Sequence, residues 1–186
     1  MSSFSEGQTH QLMEALEKDG WTPEDVTRLG QFQNLSGIRA VIRGHAEVKE
    51  VEHLINLDAP PFCPEGFEVV EHNKGGVLRW NSSKVGFYLS PRQQEGKWLK
   101  GTELREELKD QPTLNANLLD YLLVHPNLIP EEWKGKYIFF WGTTYRGPYG
   151  FLFVRYLEWN GGQWFWDFYW LGSAWYSADP ALVRAS

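Results

Sequence analysis

Three runs near the carboxyl end decide the fold: Lys136–Tyr145 (KYIFFWGTTY), Phe151–Trp159 (FLFVRYLEW) and Gln163–Leu171 (QWFWDFYWL). Each is strand-length and rich in the aromatic and β-branched residues that suit a pleated, half-buried surface. The first connection, Arg146-Gly147-Pro148-Tyr149-Gly150, combines a proline that fixes φ with glycines that accept positive φ. Asn160-Gly161-Gly162 offers a two-residue hairpin turn. Two tight turns joining three strands predict an antiparallel meander.

Parity sorts its side chains, because a strand alternates faces and a two-residue loop pairs odd positions with even ones. One face, the Trp face, carries Phe153, Arg155, Leu157 and Trp159 beside Trp164, Trp166, Phe168 and Trp170. The other, the mixed face, carries Leu152, Val154, Tyr156 and Glu158 beside Phe165, Asp167, Tyr169 and Leu171. Neither looks like an ordinary solvated face. Two readings follow. In one, both faces are covered, the mixed face by a helix and the Trp face by the N-terminal half, with Arg155 stacked on indoles. In the other, part of the Trp face forms an exposed aromatic platform for a partner, comprising Trp159, Trp164, Trp166, Trp170 and Arg155 with Trp175 and Tyr176 beyond them.

The totals narrow the field. A chain of 186 residues fits one domain with a small N-terminal appendage. A single cysteine, Cys63, excludes an internal disulfide and any Cys-based zinc site, which fits a reducing compartment. Met1 to Gly7 shows no basic region leading into an apolar run, and no stretch approaches the ~20 apolar residues of a membrane-spanning helix; a soluble, cytoplasmic protein without a membrane partner is expected. Net charge is −6, and residues 134–186 hold five basic and three acidic residues, leaving 13 basic and 21 acidic before them. A general nucleic-acid binder with a basic stripe is not indicated, although single-strand stacking on the aromatic strands stays open.

Working back from the meander, the leucines of Ala116–Val124 (Leu118, Leu119, Leu122 and Leu123), capped by Asn115, form a stripe wide enough to lie on a sheet. A companion helix is predicted over Glu103–Lys109 with Thr102 as its cap. Phe67–Glu71, Val77–Trp80 and Val85–Leu89 read as three short strands making a second meander. Upstream, three short helices are predicted over 9–18, from Thr22-Pro23 to Gly30, and over Ser36–Arg43. The connector Asp58-Ala59-Pro60-Pro61 sets the boundary between a helical segment, 1–58, and an α+β domain, 59–186. The fold class expected is α+β: N-terminal helices, a small central meander, a leucine-rich helix pair and a C-terminal antiparallel aromatic sheet.

The stretches Leu114–Leu123, Leu128–Gly135 and Phe139–Thr143, with Thr22–Thr27 and Val70-Glu71-His72 earlier, resemble a group of small uncharacterised bacterial hypothetical proteins. That resemblance covers most of the chain and implies no activity, so it assigns no catalytic or binding residue.

Chemistry is sparse. Cys63 lacks a diagnostic surrounding and no nucleophile elbow is present. His45, Glu47, Glu50, Glu52, His53, Glu71 and His72 supply metal-ligand types without a metal-ligand spacing. No cofactor is implied. Glu158 and Asp167 share the mixed face of adjacent strands, which keeps a small hydrolase of carbohydrate or nucleotide as an alternative. The favoured expectation is a non-enzymatic recognition module whose aromatic sheet meets a protein partner.

Overall fold

A computed structural model describes residues 4–49 and 51–185. The chain forms two compact units, Met1–Val51 and Glu52–Ser186. The boundary therefore precedes the Asp58-Ala59-Pro60-Pro61 connector, because β1 (Leu54–Asn56), ahead of that connector, is already paired within the second unit.

The first unit is helical. Helix α1 (Glu6–Lys18) starts at a capping box in which Ser5 and Gln8 satisfy each other's backbone donors. Helix α2 (Pro23–Gln31) repeats the device with Thr22 and Asp25, and the hydrogen bonds from Thr22 hold the Asp25 carboxyl below its ordinary range. Helix α3 (Leu35–Ile42) begins at Asn34, whose side chain accepts the Gly37 N–H. No residue of the three helices is buried, so local capping rather than a core supports them.

The second unit is α+β. In chain order it contains β1, β2 (Glu68–His72), β3 (Val77–Arg79), β4 (Val85–Tyr88), β5 (Leu99–Lys100), α4 (Gly101–Glu107), α5 (Ala116–Val124), β6 (Ile138–Arg146), β7 (Leu152–Asn160), β8 (Gln163–Trp170), β9 (Ala174–Trp175) and β10 (Ala181–Arg184). The main sheet runs β4-β10-β6-β7-β8, and β2 joins the far end of β6. The predicted aromatic meander is present as β6, β7 and β8, antiparallel throughout. Asn160 pairs with Gln163 across Gly161-Gly162, whose positive φ values only glycine adopts without strain.

The central meander is a correction. Its three strands form, yet none pairs with another: β2 pairs with β6, β3 with β1, and β4 with β10. β2 and β4 extend the main sheet at β6 and β10, while β3 forms a separate two-stranded sheet with β1; strands this short take whichever partner the fold brings to them. A second correction concerns α4, which starts at Gly101 with Thr102 inside it rather than as its cap. Its first amides find other acceptors: Gly101 N–H donates to the Ser173 carbonyl and Thr102 N–H to that of Leu171.

Both faces of the sheet are covered. Leu118, Leu119 and Leu122 of α5 pack with Ile138, Phe140 and Leu157, so the leucine stripe lies on the Trp face. Leu104 and Leu108, from α4 and the turn after it, pack with Phe139, Trp141, Val154, Leu171 and Trp175 on the mixed face. With a helix on either side, β6 is buried from Ile138 through Tyr145 without alternation.

Candidate functional site

The register is the one parity predicts, with Trp159 opposite Trp164, Leu157 opposite Trp166, Arg155 opposite Phe168 and Phe153 opposite Trp170. What differs is the use of the Trp face. Arg155 is 1% exposed, and its guanidinium meets Asp120 of α5 at 2.7 and 3.1 Å in a bidentate pair. Trp166 lies 3.9 Å from that guanidinium and Phe62 lies 5.3 Å from it. Lys134 Nζ sits 3.9 Å over the Trp159 ring, which meets Trp164 edge to face at 5.3 Å. These indoles already have partners from their own chain.

Of the other residues expected on a platform, Trp175 is fully buried between Phe139, Trp141 and Tyr169. It cannot touch a partner, and neither can Arg155. Gly101 lets the Trp175 indole approach: a Cβ at that position would stand 2.3 Å from Nε1. Trp170 and Tyr176 remain open, at 43% and 47%. Trp164, Trp166 and Trp159 are half-buried. A continuous row of open indole faces, which stacking of successive bases would use, is not formed.

The mixed face holds the concave aromatic surface instead. A cavity of about 360 Å³ opens beside the start of β6, lined by Tyr137, Phe139, Tyr156, Tyr169, Tyr176 and Asp179. Sheet pairing places Phe139 opposite Tyr156, and Tyr169 lies on the same face one strand further. The segment between β9 and β10 brings Tyr176 and Asp179 to it, tied down because Tyr137 N–H donates to the Ala178 carbonyl and Phe139 N–H to that of Pro180, each at 3.0 Å. The rings are inclined to one another: Tyr137 to Tyr156 at 81°, Tyr156 to Tyr169 at 89°, and Phe139 to Tyr156 and Tyr169 at 41° and 54°. Rings set like this present walls rather than one flat stack.

Asp179 closes the cavity. It is 7% exposed, and one carboxylate oxygen accepts the Tyr176 N–H at 2.7 Å. Burial pushes its carboxyl above the ordinary value, the hydrogen bond from Tyr176 pulling the other way. The Tyr156 phenol is pushed up to about 12, by burial first and then by the charges of Glu158 and Asp167. Tyr169 is raised as well, by burial and then by Asp179. Both of these phenols hold their protons more tightly than a free phenol does.

No protein-family model matches the chain, and no curated protein or solved structure matches it. Its functional reading rests on its own geometry.

The remaining candidates separate. Asp167 is exposed, pairs in register with Tyr156, and accepts the N–H of Phe168. Glu158, half-buried, is opposite Phe165. Neither carboxylate lines the tyrosine cavity. Two of the candidate histidines, His72 and His53, are engaged in structure. His72 is held through Nε2 by the Leu57 carbonyl and through Nδ1 by the Thr143 hydroxyl, next to Asn115, whose amide donates to the Leu57 and Asn73 carbonyls. His53 meets the Tyr121 hydroxyl. Glu50 lies outside the described residues; among the described ones no group of three or more His, Cys, Asp or Glu is placed to hold a metal ion.

A second, more open groove of about 490 Å³ runs along the outer side of α5, where Leu54, Phe62 and Val124 are exposed. Among the described residues no helix is long and apolar enough to cross a membrane.

Sequence reasoning placed Tyr156 and Tyr169 on one face and named Tyr176, but missed Tyr137, Phe139 and Asp179. Parity extended into the first strand would have added Tyr137 and Phe139. Nothing local marks Asp179, which reaches the site only through the return of the chain into β10.

Proposed function

We propose that this protein is a recognition module without catalysis of its own, and that it captures its ligand in the tyrosine-lined cavity of the mixed face rather than on the tryptophans. One observation carries the reading: five aromatic side chains and a buried carboxylate converge on a cavity of about 360 Å³, while Trp166 and Trp159 opposite are occupied by Asp120-paired Arg155 and by Lys134. That volume falls at the small end of ligand-binding cavities, the size of a side chain or a small metabolite. Rings fixed on strands give contact area at little entropic cost, and a single polar group orients what enters. Tyr137 and Tyr176, both exposed at the rim, would meet the body of a protein partner whose side chain fills the interior.

Amide chemical shifts, followed while a panel of neutral, anionic and cationic small molecules is titrated in, test this. Perturbations are expected at Tyr137, Phe139, Tyr156, Tyr169, Tyr176 and Asp179. Perturbations confined to Leu54, Phe62 and Val124 would move the site to the groove along α5 and end the proposal.

A further inference from the structure

We infer that the cavity selects an alkylated ammonium group, a quaternary or methylated nitrogen cation, held against the tyrosine faces with the Asp179 carboxylate as its counter-charge. The inference deepens the proposed function and rests on it, adding the chemical class of the ligand.

Four features of the cavity point the same way. Its walls are Tyr137, Phe139, Tyr156, Tyr169 and Tyr176. The negative face of an aromatic ring attracts a cation, most strongly where water is excluded. Its back is a carboxylate that is 7% exposed and has no ion-pair partner among the described residues. Burying a carboxylate without a counter-ion opposes folding unless something recovers the loss, and such groups concentrate at binding sites. Elsewhere in this fold the chain supplies its own cation to an aromatic face, as with Lys134 on Trp159 and Arg155 on Trp166. None of the rings of this cavity carries a lysine or arginine among the described residues. Finally, the carboxylates of Glu158 and Asp167 act on the Tyr156 hydroxyl and that of Asp179 on the Tyr169 hydroxyl, each raising it, and no lysine or arginine among the described residues acts on either. The site is negative, aromatic and lacks a cation of its own.

The choice of an alkylated nitrogen over a bare ammonium follows from hydrogen-bond accounting. A lysine ammonium brings three N–H donors and a tightly held hydration shell. The lining is mostly ring face: five aromatic rings stand against a single carboxylate, one oxygen of which already takes the Tyr176 N–H, so three N–H donors would face more π surface than carboxylate. Methylation removes the donors and weakens hydration while keeping the charge, which matches ring faces plus one carboxylate.

Calorimetric titration of the full chain with tetramethylammonium, choline, a short trimethyl-lysine peptide, its unmodified lysine counterpart, and 3,3-dimethylbutan-1-ol, the neutral isostere of choline, separates the possibilities. Expected is binding of the alkylated cations at least tenfold tighter than of the neutral isostere and the unmodified peptide. The source is read from the comparison of choline with the trimethyl-lysine peptide: a free metabolite favours the first, a modified protein the second. Tyr176→Ala, at an exposed rim position, and Asp179→Asn, which retains an acceptor for the Tyr176 N–H, should each weaken tetramethylammonium at least fivefold with folding retained. Equal affinity for choline and its neutral isostere would overturn the cation assignment and leave the cavity as a recognition site. Absence of binding by every probe, together with no chemical-shift response from the cavity in the wider panel, would overturn both.

Discussion

Removing the Asp120 carboxylate is the sharpest test of how the Trp face is used. Arg155 is 1% exposed and Asp120 is 35% exposed, so the Asp120→Ala variant leaves a guanidinium under α5 with its ion-pair partner gone. Its Nε already lacks a hydrogen-bond partner. Deleting one member of a fully buried pair costs about 3–5 kcal/mol; water reaching the half-open Asp120 end brings this to about 2–3 kcal/mol. In a protein of this size that lowers the thermal midpoint by about 4–12 °C. Replacing both partners by apolar residues, Asp120→Leu with Arg155→Met, removes the stranded charge and should return stability to within about 1 kcal/mol of the parent. Chemical denaturation of parent, single and double variants with matched m-values is the assay. A single variant as stable as the parent, or a double variant less stable than the single one, would show that Arg155 is not sealed beneath the helix and would return the Trp face to contention as a contact surface.

Three further outcomes follow. Trp166→Ala should cost about 2–3 kcal/mol in equilibrium unfolding, below the figure for a fully buried indole because Trp166 is half-buried against Arg155 and Phe62, and should leave tetramethylammonium affinity unchanged; altered affinity would place the ligand on the wrong face. Gly101→Ala puts a Cβ 2.3 Å from Trp175 Nε1 and 2.9 Å from the Leu171 backbone, so overpacking of about 1–3 kcal/mol is expected, and a neutral result in thermal unfolding would contradict that close approach. The Asp179 carboxyl, raised above its ordinary 3.8 by burial, binds its proton more tightly in the folded than in the unfolded chain. Its contribution is therefore fully present below 3.8 and is lost as pH rises through the raised native value. Asp179→Asn should accordingly gain stability relative to the parent between about pH 4 and pH 7, measured by denaturation at both; a constant difference would mean the carboxyl titrates as if solvated.

Much of the fold was readable from local rules. The hairpin turn at Gly161-Gly162, the alternation that separates Tyr156 from Trp166, the Asn115 cap and the leucine stripe of α5 each depend on neighbours within a few residues, and sequence spacing records those directly. Pairing of the short strands did not follow, since Glu68–His72, Val77–Arg79 and Val85–Tyr88 have lengths compatible with many partners and register is set by whichever sheet edge they reach. The site was half legible. Tyr156 and Tyr169 were placed on one face, but whether that face or the other would be left concave depended on where α5 came to rest.

By itself, then, the amino-acid order determined the α+β class, the aromatic hairpin and the sorting of its side chains into two faces, because turns, caps and alternation are short-range effects. Only the tertiary structure decided that Asp120 would seal Arg155 beneath α5 and that Asp179 would swing in behind four tyrosines. Both contacts join residues far apart in the chain, Asp120 to Arg155 and Asp179 to Tyr137, and a buried charge finds its partner through packing, which no local pattern encodes.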